Sequence, residues 1–515
     1  MKKTKSALEV GLPKTTSSLC PVCKEIISAE VFERDGSVWM RKECAKHGEF
    51  EDIYWSDADL YLKVEKFAFD GEGVYNPNIP DAEVCPFDCG LCNLHLSHTA
   101  LANIDLTNRC NLQCPICFAN ANVAGYVYEP SFDEVVDMLK VLRANEPVAT
   151  VAVQFAGGEP TIYPRFFDAI RKASELGFPQ VQVATNGIKI ARDPNFAQEM
   201  LDAGLHTVYL QFDGLNDDNY IQARGKPLLE TKMKAIENLR NTTPKPLSTV
   251  LVPTIVNGIN DDQVGSITQF AVDNVDVVRS VIYQPVSFAG RISQEQRLKE
   301  RFTLSDLVDR LVKQTGYLEK DDFYPVPCVT PISELAGLID GKPKVTFSAH
   351  PHCGIATYLF VEGDKVIPIT HFVDVMGFLS DTSEIVSEVR NKDISTAKIP
   401  ERMIKSLQKH FDKDRAPKDM DPLKFIQSLF MADGKSGLSE IHWKMILVSG
   451  MHFQDAFNYD IERVRRCLVH YATPDPKRRI VPFCAYNSGP VFREEIEAKY
   501  GIPLDEWKKR NKEET

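Results

Sequence analysis

Apolar positions recur with two different periods along this chain, and the change of period separates its parts. Over 31–42, VFERDGSVWMRK alternates apolar and polar residues as a half-buried strand pair does, and Asp35-Gly36 in its middle is a hairpin signal. From about 101 to 290, short apolar runs alternate with segments of helical spacing. LANIDL (101–106), ATVAVQF (149–155), QVQVAT (180–185), TVYLQF (207–212), STVLVPTIV (248–256) and VIYQPV (281–286) read as strands. Between the first two, Phe132, Val135, Val136, Leu139 and Leu142 fall on one helical face behind a capping box of Ser131 and Glu134. PRFFDAIRKASEL opens at Pro164 and stops at Gly177. Strands separated by helices of this length predict a parallel sheet in an α/β fold. Six such units fit a partial (β/α)6 barrel better than a closed eight-fold one, with chemistry at the C-terminal ends of the strands. The segment from about 380 to 450 reads as mostly helical, with Phe425, Ile426, Leu429 and Phe430 on packing faces. The C-terminal charge run carries no assigned role.

Length and composition narrow the class. A chain of 515 residues is expected to hold more than one domain. The divisions read as 1–60, a metal-stapled module; 61–99, an auxiliary cysteine segment; 100–300, the barrel; and 301–515, a helical and mixed extension. A net charge of −12 argues against a nucleic-acid partner, which favours basic surfaces. No run of about 18 apolar residues predicts a membrane span, and MKKTKSALEV has no apolar signal region behind its lysines, so a cytoplasmic location is expected.

The 13 cysteines carry the chemistry. In a cytosolic chain, clustered cysteines more often bind metal than form disulfides. Cys20-Pro-Val-Cys23 and Cys44-Ala-Lys-His47 make two knuckles joined by the hairpin, as in rubredoxins and zinc ribbons. Three thiolates and one imidazole form a tetrahedral site for zinc or iron; alternatively His47 is a turn residue and the fourth ligand lies elsewhere. Cys110, Cys114 and Cys117 follow the first barrel strand. Their spacing wraps three corners of a 4Fe–4S cubane and leaves one iron open to a small molecule. Cys85, Cys89 and Cys92 repeat that spacing, with His95, His98, a distant cysteine or the substrate as candidate fourth ligand. Cys328, Cys353, Cys467 and Cys484 are scattered and could supply four thiolates to a further cluster. Polar residues end the other strands: Gly157, Gly158 and Glu159 the second, Asn186 the third, Gln211 and Asp213 the fourth. The glycines allow close backbone approach to a ligand, and Glu159 offers an acceptor for an ammonium group.

Over roughly 100–290 the cysteine loop, G-G-E-P and the strand-end residues resemble the radical S-adenosylmethionine (SAM) superfamily. That resemblance implies SAM on the open iron, with Gly157, Gly158 and Glu159 at its methionine end and Phe118 against its adenine. It also implies reductive cleavage of SAM and hydrogen-atom abstraction from an unactivated carbon. Nearly the whole chain, through C-P-F-D-C-G-L-C-N-L-H, T-N-R-C-N-L-Q-C-P-I-C, H-Y-A-T-P-D and P-F-C-A-Y-N, resembles the archaeal tetraether lipid synthases, a family also assigned methyl transfer to a dihydropterin. The main reading is therefore C–C bond formation between isoprenoid chain ends of diether lipids. The alternative is the pterin methyltransferase, and a non-catalytic iron–sulfur electron carrier is a distant third. The resemblance implies three 4Fe–4S clusters, a mononuclear iron or zinc, an external electron donor, and a lipid substrate in an apolar channel with peripheral membrane contact.

Overall fold

The computed structural model describes residues 8–117, 121–122, 124–288, 294–418, 420, 444–490 and 492–512. The N-terminal module is an antiparallel four-stranded sheet of β1 (Lys14–Leu19), β2 (Ile26–Arg34), β3 (Ser37–Cys44) and β4 (Gly48–Trp55). Its hairpin turns where the pattern placed it. Asp35 and Gly36 take φ of 52° and 75°, the paired left-handed conformations of a tight two-residue turn. One face buries Ala29, Val31, Val38, Met40, Tyr54 and Trp55 into the same core that fills the barrel. Helix Ala58–Glu65 follows, capped by Asp57.

The main sheet contains β5 (Leu101–Thr107), β7 (Ala152–Gly157), β8 (Gln180–Thr185), β9 (Thr207–Gln211), β10 (Ser248–Val252) and β12 (Val278–Pro285), in the order β12-β10-β9-β8-β7-β5. All these pairings are parallel. This is the expected partial barrel. The fifth expected strand is split at Pro253, which has no N–H for the ladder, and resumes as β11 (Thr254–Ile255) against β12. The capping box of Ser131 and Glu134 opens helix Phe132–Arg143. A two-stranded pair of β6 (Tyr126–Val127) and β19 (Ile502–Pro503) stands apart.

The sheet does not end at residue 300. β16 (Met445–Met451) adds parallel to β12 at one edge, and β17 (Val469–Ala472) adds parallel to β5 at the other. Antiparallel strands then cover both edges. β14 (Gly354–Glu362) lies on β16, flanked by β13 (Tyr324–Pro325) and β15 (Lys365–Pro368), and β18 (Ile480–Pro482) lies on β17. The segment from 380 to 450 is thus helical only in part. Helices Val375–Arg390 and Ile399–His410 give way to strand at Met445, whose side chains bury alternately. Phe425, Ile426, Leu429 and Phe430 lie outside the described residues. Among the described residues no helix is long and apolar enough to cross a membrane.

The four-stranded module is bolted to the barrel by buried charge. Asp52 pairs with Arg297 (2.8 Å) and Arg301, and Arg301 reaches Asp455 (2.5 Å). Burial raises the Asp455 carboxyl, but Arg301 outweighs it and holds it down at about 2.

Candidate active site

Cys20, Cys23, Cys44 and His47 bring one ligand atom each to within 4.8 Å of one another. Sγ of Cys20 and of Cys44 lie 3.6 and 3.5 Å from Nδ1 of His47. The reading of His47 as a mere turn residue falls away. Burial raises the Cys20 thiol, but the backbone amides of Cys23 and Val22 more than offset it; those of Lys46 and the His47 ring lower Cys44. Amides aimed at sulfur favour the thiolate, the form that ligates metal. The residues therefore fit one tetrahedral ion. Metal analysis of purified protein should find this ion, and Cys44→Ser should lose one equivalent per chain together with thermal stability.

At the open ends of the parallel strands lies a cavity of about 330 Å³, lined by Cys110, Cys114, Cys117, Gly157, Gly158, Glu159, Asn186 and Gln211. The cysteine loop is held from several sides. Asn122 donates through Nδ2 to the carbonyls of Cys110 (2.9 Å) and Leu112 (3.1 Å). Burial and the charges of Glu159, Cys114 and Cys117 push the Cys110 thiol up to about 12. Three thiols on one short loop, opening onto one cavity, are the donor set for an iron cluster. Phe118, expected at the adenine, lies outside the described residues.

The glycines line the cavity and also have a task inside the fold. Gly158 N donates to Thr107 O (2.7 Å) and Glu159 N to Arg109 O (2.8 Å), stitching the exit of β7 to the start of the cysteine loop. A Cβ on Gly157 would meet Thr107 O at 2.2 Å, and one on Gly158 would meet Arg109 O at 2.2 Å. Their close approach is to the chain's own backbone. Glu159, 1% exposed, is largely spent inside the fold. Its Oε1 accepts from Thr161 Oγ1 (2.5 Å) and Thr185 Oγ1 (2.7 Å), and its Oε2 from Asn186 N (2.9 Å). Glu159 nonetheless lines the cavity.

Asp213 does not serve the cavity directly. It is fully buried and grips Arg224, whose Nε and Nη2 each donate at 2.8 Å. Arg224 also donates to Ile116 O in the cysteine loop (3.0 Å) and to Thr254 Oγ1 (2.9 Å). Asp213 is thus an anchor for a cation that clamps the loop. Burial raises the Cys114 thiol and Arg224 opposes it. Lys232, also fully buried, donates to Asn186 O (2.6 Å) and Gln211 Oε1 (3.1 Å), and burial brings its ammonium down to about 8. Sequence reasoning missed Arg224 and Lys232, which lie on helices Asp217–Arg224 and Leu229–Arg240 with no linear signature. It also missed Arg493, which lines the cavity while pairing with Asp105 (2.6 Å). The tail has a role as well: Trp507 lies under Arg109, 4.8 Å from ring centre to guanidinium carbon, beside Cys110.

The other thiols come from both sides of the barrel: Cys85, Cys89 and Cys92 before it, and Cys328, Cys353, Cys467 and Cys484 after it. Hydrogen bonding with Cys85, then burial, then the charges of Cys92 and Cys467 raise Cys89. A distant cysteine, Cys467, therefore approaches the Cys85, Cys89 and Cys92 group. His95 is engaged instead with Cys467 O (2.9 Å) and His470 (3.2 Å). Burial and then Cys484 and Cys353 raise Cys467. Cys328 does not join them. Burial pushes its thiol up to about 12. It sits at the far side of β14, among Tyr324 and Tyr358. Of the four distal cysteines, Cys328 thus stands apart, while Cys353, Cys467 and Cys484 lie near one another.

A half-open parallel barrel with a three-thiol loop at its first strand, stitched to a Gly-Gly-Glu exit at the second, defines a radical SAM enzyme. The radical SAM superfamily model matches residues 104–271, and the HMPTM N-terminal zinc ribbon domain matches 12–56. The chain is 47% identical over 506 residues to the 7,8-dihydro-6-hydroxymethylpterin dimethyltransferase of Methanocaldococcus jannaschii, covering 97% of this chain and 98% of that one, and it belongs to that family. A GTP 3',8-cyclase of Clostridium acetobutylicum is 27% identical over 240 residues, 45% of this chain and 73% of the relative. Among solved structures, Streptococcus suis SuiB bound to S-adenosylmethionine is 16% identical with a TM-score of 0.35, over 43% of this chain and 48% of that chain.

Proposed function

We propose that this chain is a radical SAM methyltransferase acting on a carbon of a dihydropterin. The observation that carries the reading is the 47% identity, over nearly both whole chains, with a relative named for that activity. The cavity wall is consistent with it. Asn103, Gln154, Asn186, Gln211 and Gln284 present side-chain amides there. Gln182 donates to Gln154 (3.0 Å) and Gln154 to Asn103 (2.8 Å), so these amides hold one another in place along the wall. When bound, the cluster and SAM supply homolytic cleavage and hydrogen-atom abstraction. The chain holds the loop through Arg224 and Asn122, lines the cavity with Glu159, and closes the site with Arg493 and the C-terminal helices. Cys110, Cys114 and Cys117 would hold the SAM cluster. Cys85, Cys89 and Cys92 would hold a second cluster, and Cys353, Cys467 and Cys484 a third. A complement of roughly twelve irons in clusters is expected, with a reductant supplied from outside.

A second reading is the joining of isoprenoid chain ends of diether lipids. One observation favours it: part of the cavity lining is apolar, built from Met451, Phe453, Val469 and Phe483. Anaerobic reconstituted protein given SAM, dithionite and 7,8-dihydro-6-hydroxymethylpterin should release 5′-deoxyadenosine and a pterin heavier by one or two methyl groups. An unchanged pterin, with membrane-spanning lipid formed from an archaeal diether in the same assay, would overturn the pterin reading in favour of the lipid.

A further inference from the structure

Arg463 is a buried cation without a carboxylate. It lies on helix Ile461–Arg465 and is 1% exposed. Arg224, Arg301, Arg466 and Arg493 are also buried, and each is ion-paired with a carboxylate. Arg463 has no such pair among the described residues. Its neighbours in the chain are engaged elsewhere: Asp460 accepts from Thr16 (2.8 Å) and Tyr54 (3.0 Å), and Glu462 pairs with Arg465 (3.0 Å) and Arg466. Arg463 Nη2 donates to His452 O, and Nη1 has no hydrogen-bond partner. A guanidinium taken out of water needs a counter-charge to be tolerated.

What stands beside it is sulfur, with the Tyr54 ring 5.9 Å from the guanidinium carbon. Arg463 Nε donates to Cys353 Sγ at 3.4 Å. Cys353 immediately precedes β14 at the end that pairs Gly354 with Met451. Cys467 lies two residues before β17, and Cys484 two residues after β18. The antiparallel register of these strands, His470 opposite Pro482, carries both cysteines to the same end of the pair. Gln454 N donates to Cys484 Sγ at 3.4 Å. The buried cation therefore stands against thiols that become anionic when they ligate a metal.

We propose that Arg463 is the counter-charge of an iron–sulfur cluster held by Cys353, Cys467 and Cys484, and that it raises the reduction potential of that cluster. The inference rests on the three-cluster reading given above. Three thiolates on a 4Fe–4S core leave a net negative charge, and reduction adds one electron more. A fixed cation at hydrogen-bond distance from a ligand sulfur stabilises the more negative state. The cluster would stand directly behind the cavity wall, because Cys484 follows Phe483, whose ring stacks on Phe453 at 3.8 Å. Arg463 is a positioning and tuning residue; it does not touch the cavity.

The test is an anaerobic redox titration of the full-length reconstituted protein, followed by electron paramagnetic resonance. The signal of this cluster is the one lost when Cys353, Cys467 and Cys484 are all changed to Ala, with about four irons. If that variant keeps its iron, the cluster reading itself fails, whatever Arg463 does. With the signal assigned, Arg463→Gln should lower the reduced-to-oxidised ratio at a given solution potential about tenfold, a shift of about 59 mV for one electron. Arg463→Lys should stay near the unsubstituted protein, and the signal that depends on Cys110, Cys114 and Cys117 should not move. An unchanged potential in Arg463→Gln overturns the proposal. If Arg463→Gln fails to retain the cluster, Arg463→Lys decides: retention there supports the charge, and loss in both overturns it.

Discussion

Changing Cys110, Cys114 and Cys117 together to Ala is expected to bring 5′-deoxyadenosine formation down to background. The expectation comes from the way the loop is built. The three thiols open onto one cavity with Gly157, Gly158 and Glu159, and each of them is available to iron and not to a disulfide. Cys110, pushed up to about 12, is a poor thiolate until a cation joins it. Alanine removes the ligands while leaving the loop's frame, since Asn122 holds the carbonyls of residues 110 and 112 and Arg224 holds that of Ile116. The protein should therefore stay folded, keep its other metals and lose about four irons. Liquid chromatography with mass detection of 5′-deoxyadenosine under dithionite measures the activity. Persistent SAM cleavage in the triple variant would refute this site.

Arg224→Met should carry the largest cost in stability, on the order of 3–5 kcal/mol, because it strands a buried carboxylate. Asp213 is fully buried, and its two oxygens accept from Arg224 at 2.8 Å. In the unsubstituted protein burial raises the Asp213 carboxyl and Arg224 outweighs that, so the group lies below its ordinary value. Such a group contributes stability that is present above the unfolded value and lost as pH falls through the folded one. Without Arg224, only Thr254 N and Lys232 still oppose burial, and the carboxyl rises. The folded variant then binds more protons than the unfolded chain, so its deficit should shrink as pH is lowered from 7 toward 5. Thermal melts of both proteins across that range check the sign. Arg224→Met combined with Asp213→Leu should recover most of the melting temperature but not the hold on Ile116, so iron retention by the cysteine loop should stay impaired. A deficit independent of pH would mean that Asp213 is not the group left unpaired.

The two predictions divide as the site divides. The ligands belong to one short loop, and the groups that position that loop come from elsewhere in the barrel. Gly157 and Gly158 show the division within a single motif. Their place after the second strand was legible from the pattern, but the partner they approach, the backbone of Thr107 and Arg109, appears only when β5 and β7 pair. Cys328 shows it again: four scattered cysteines suggested four ligands, and the sheet order places one of them apart.

What the amino-acid sequence by itself determined is everything that local spacing governs. That includes the knuckles Cys20–Cys23 and Cys44–His47, the loop Cys110–Cys117, the Asp35-Gly36 hairpin, the Ser131 capping box, and the alternation that yields six parallel strands. In each case the interacting atoms lie within a few residues or repeat with the period of their element, so the pattern survives in one dimension. The tertiary structure alone decided which distant groups meet. Strands β16 and β17 extend opposite edges of the barrel although they are neighbours in the chain. Arg224 and Arg493 reach the cavity from two helices, Lys232 braces the lining residues Asn186 and Gln211 from a third, and Arg463 finds Cys353 across 110 residues. Those contacts depend on sheet order and on the need of a buried charge for a partner, which no linear spacing records.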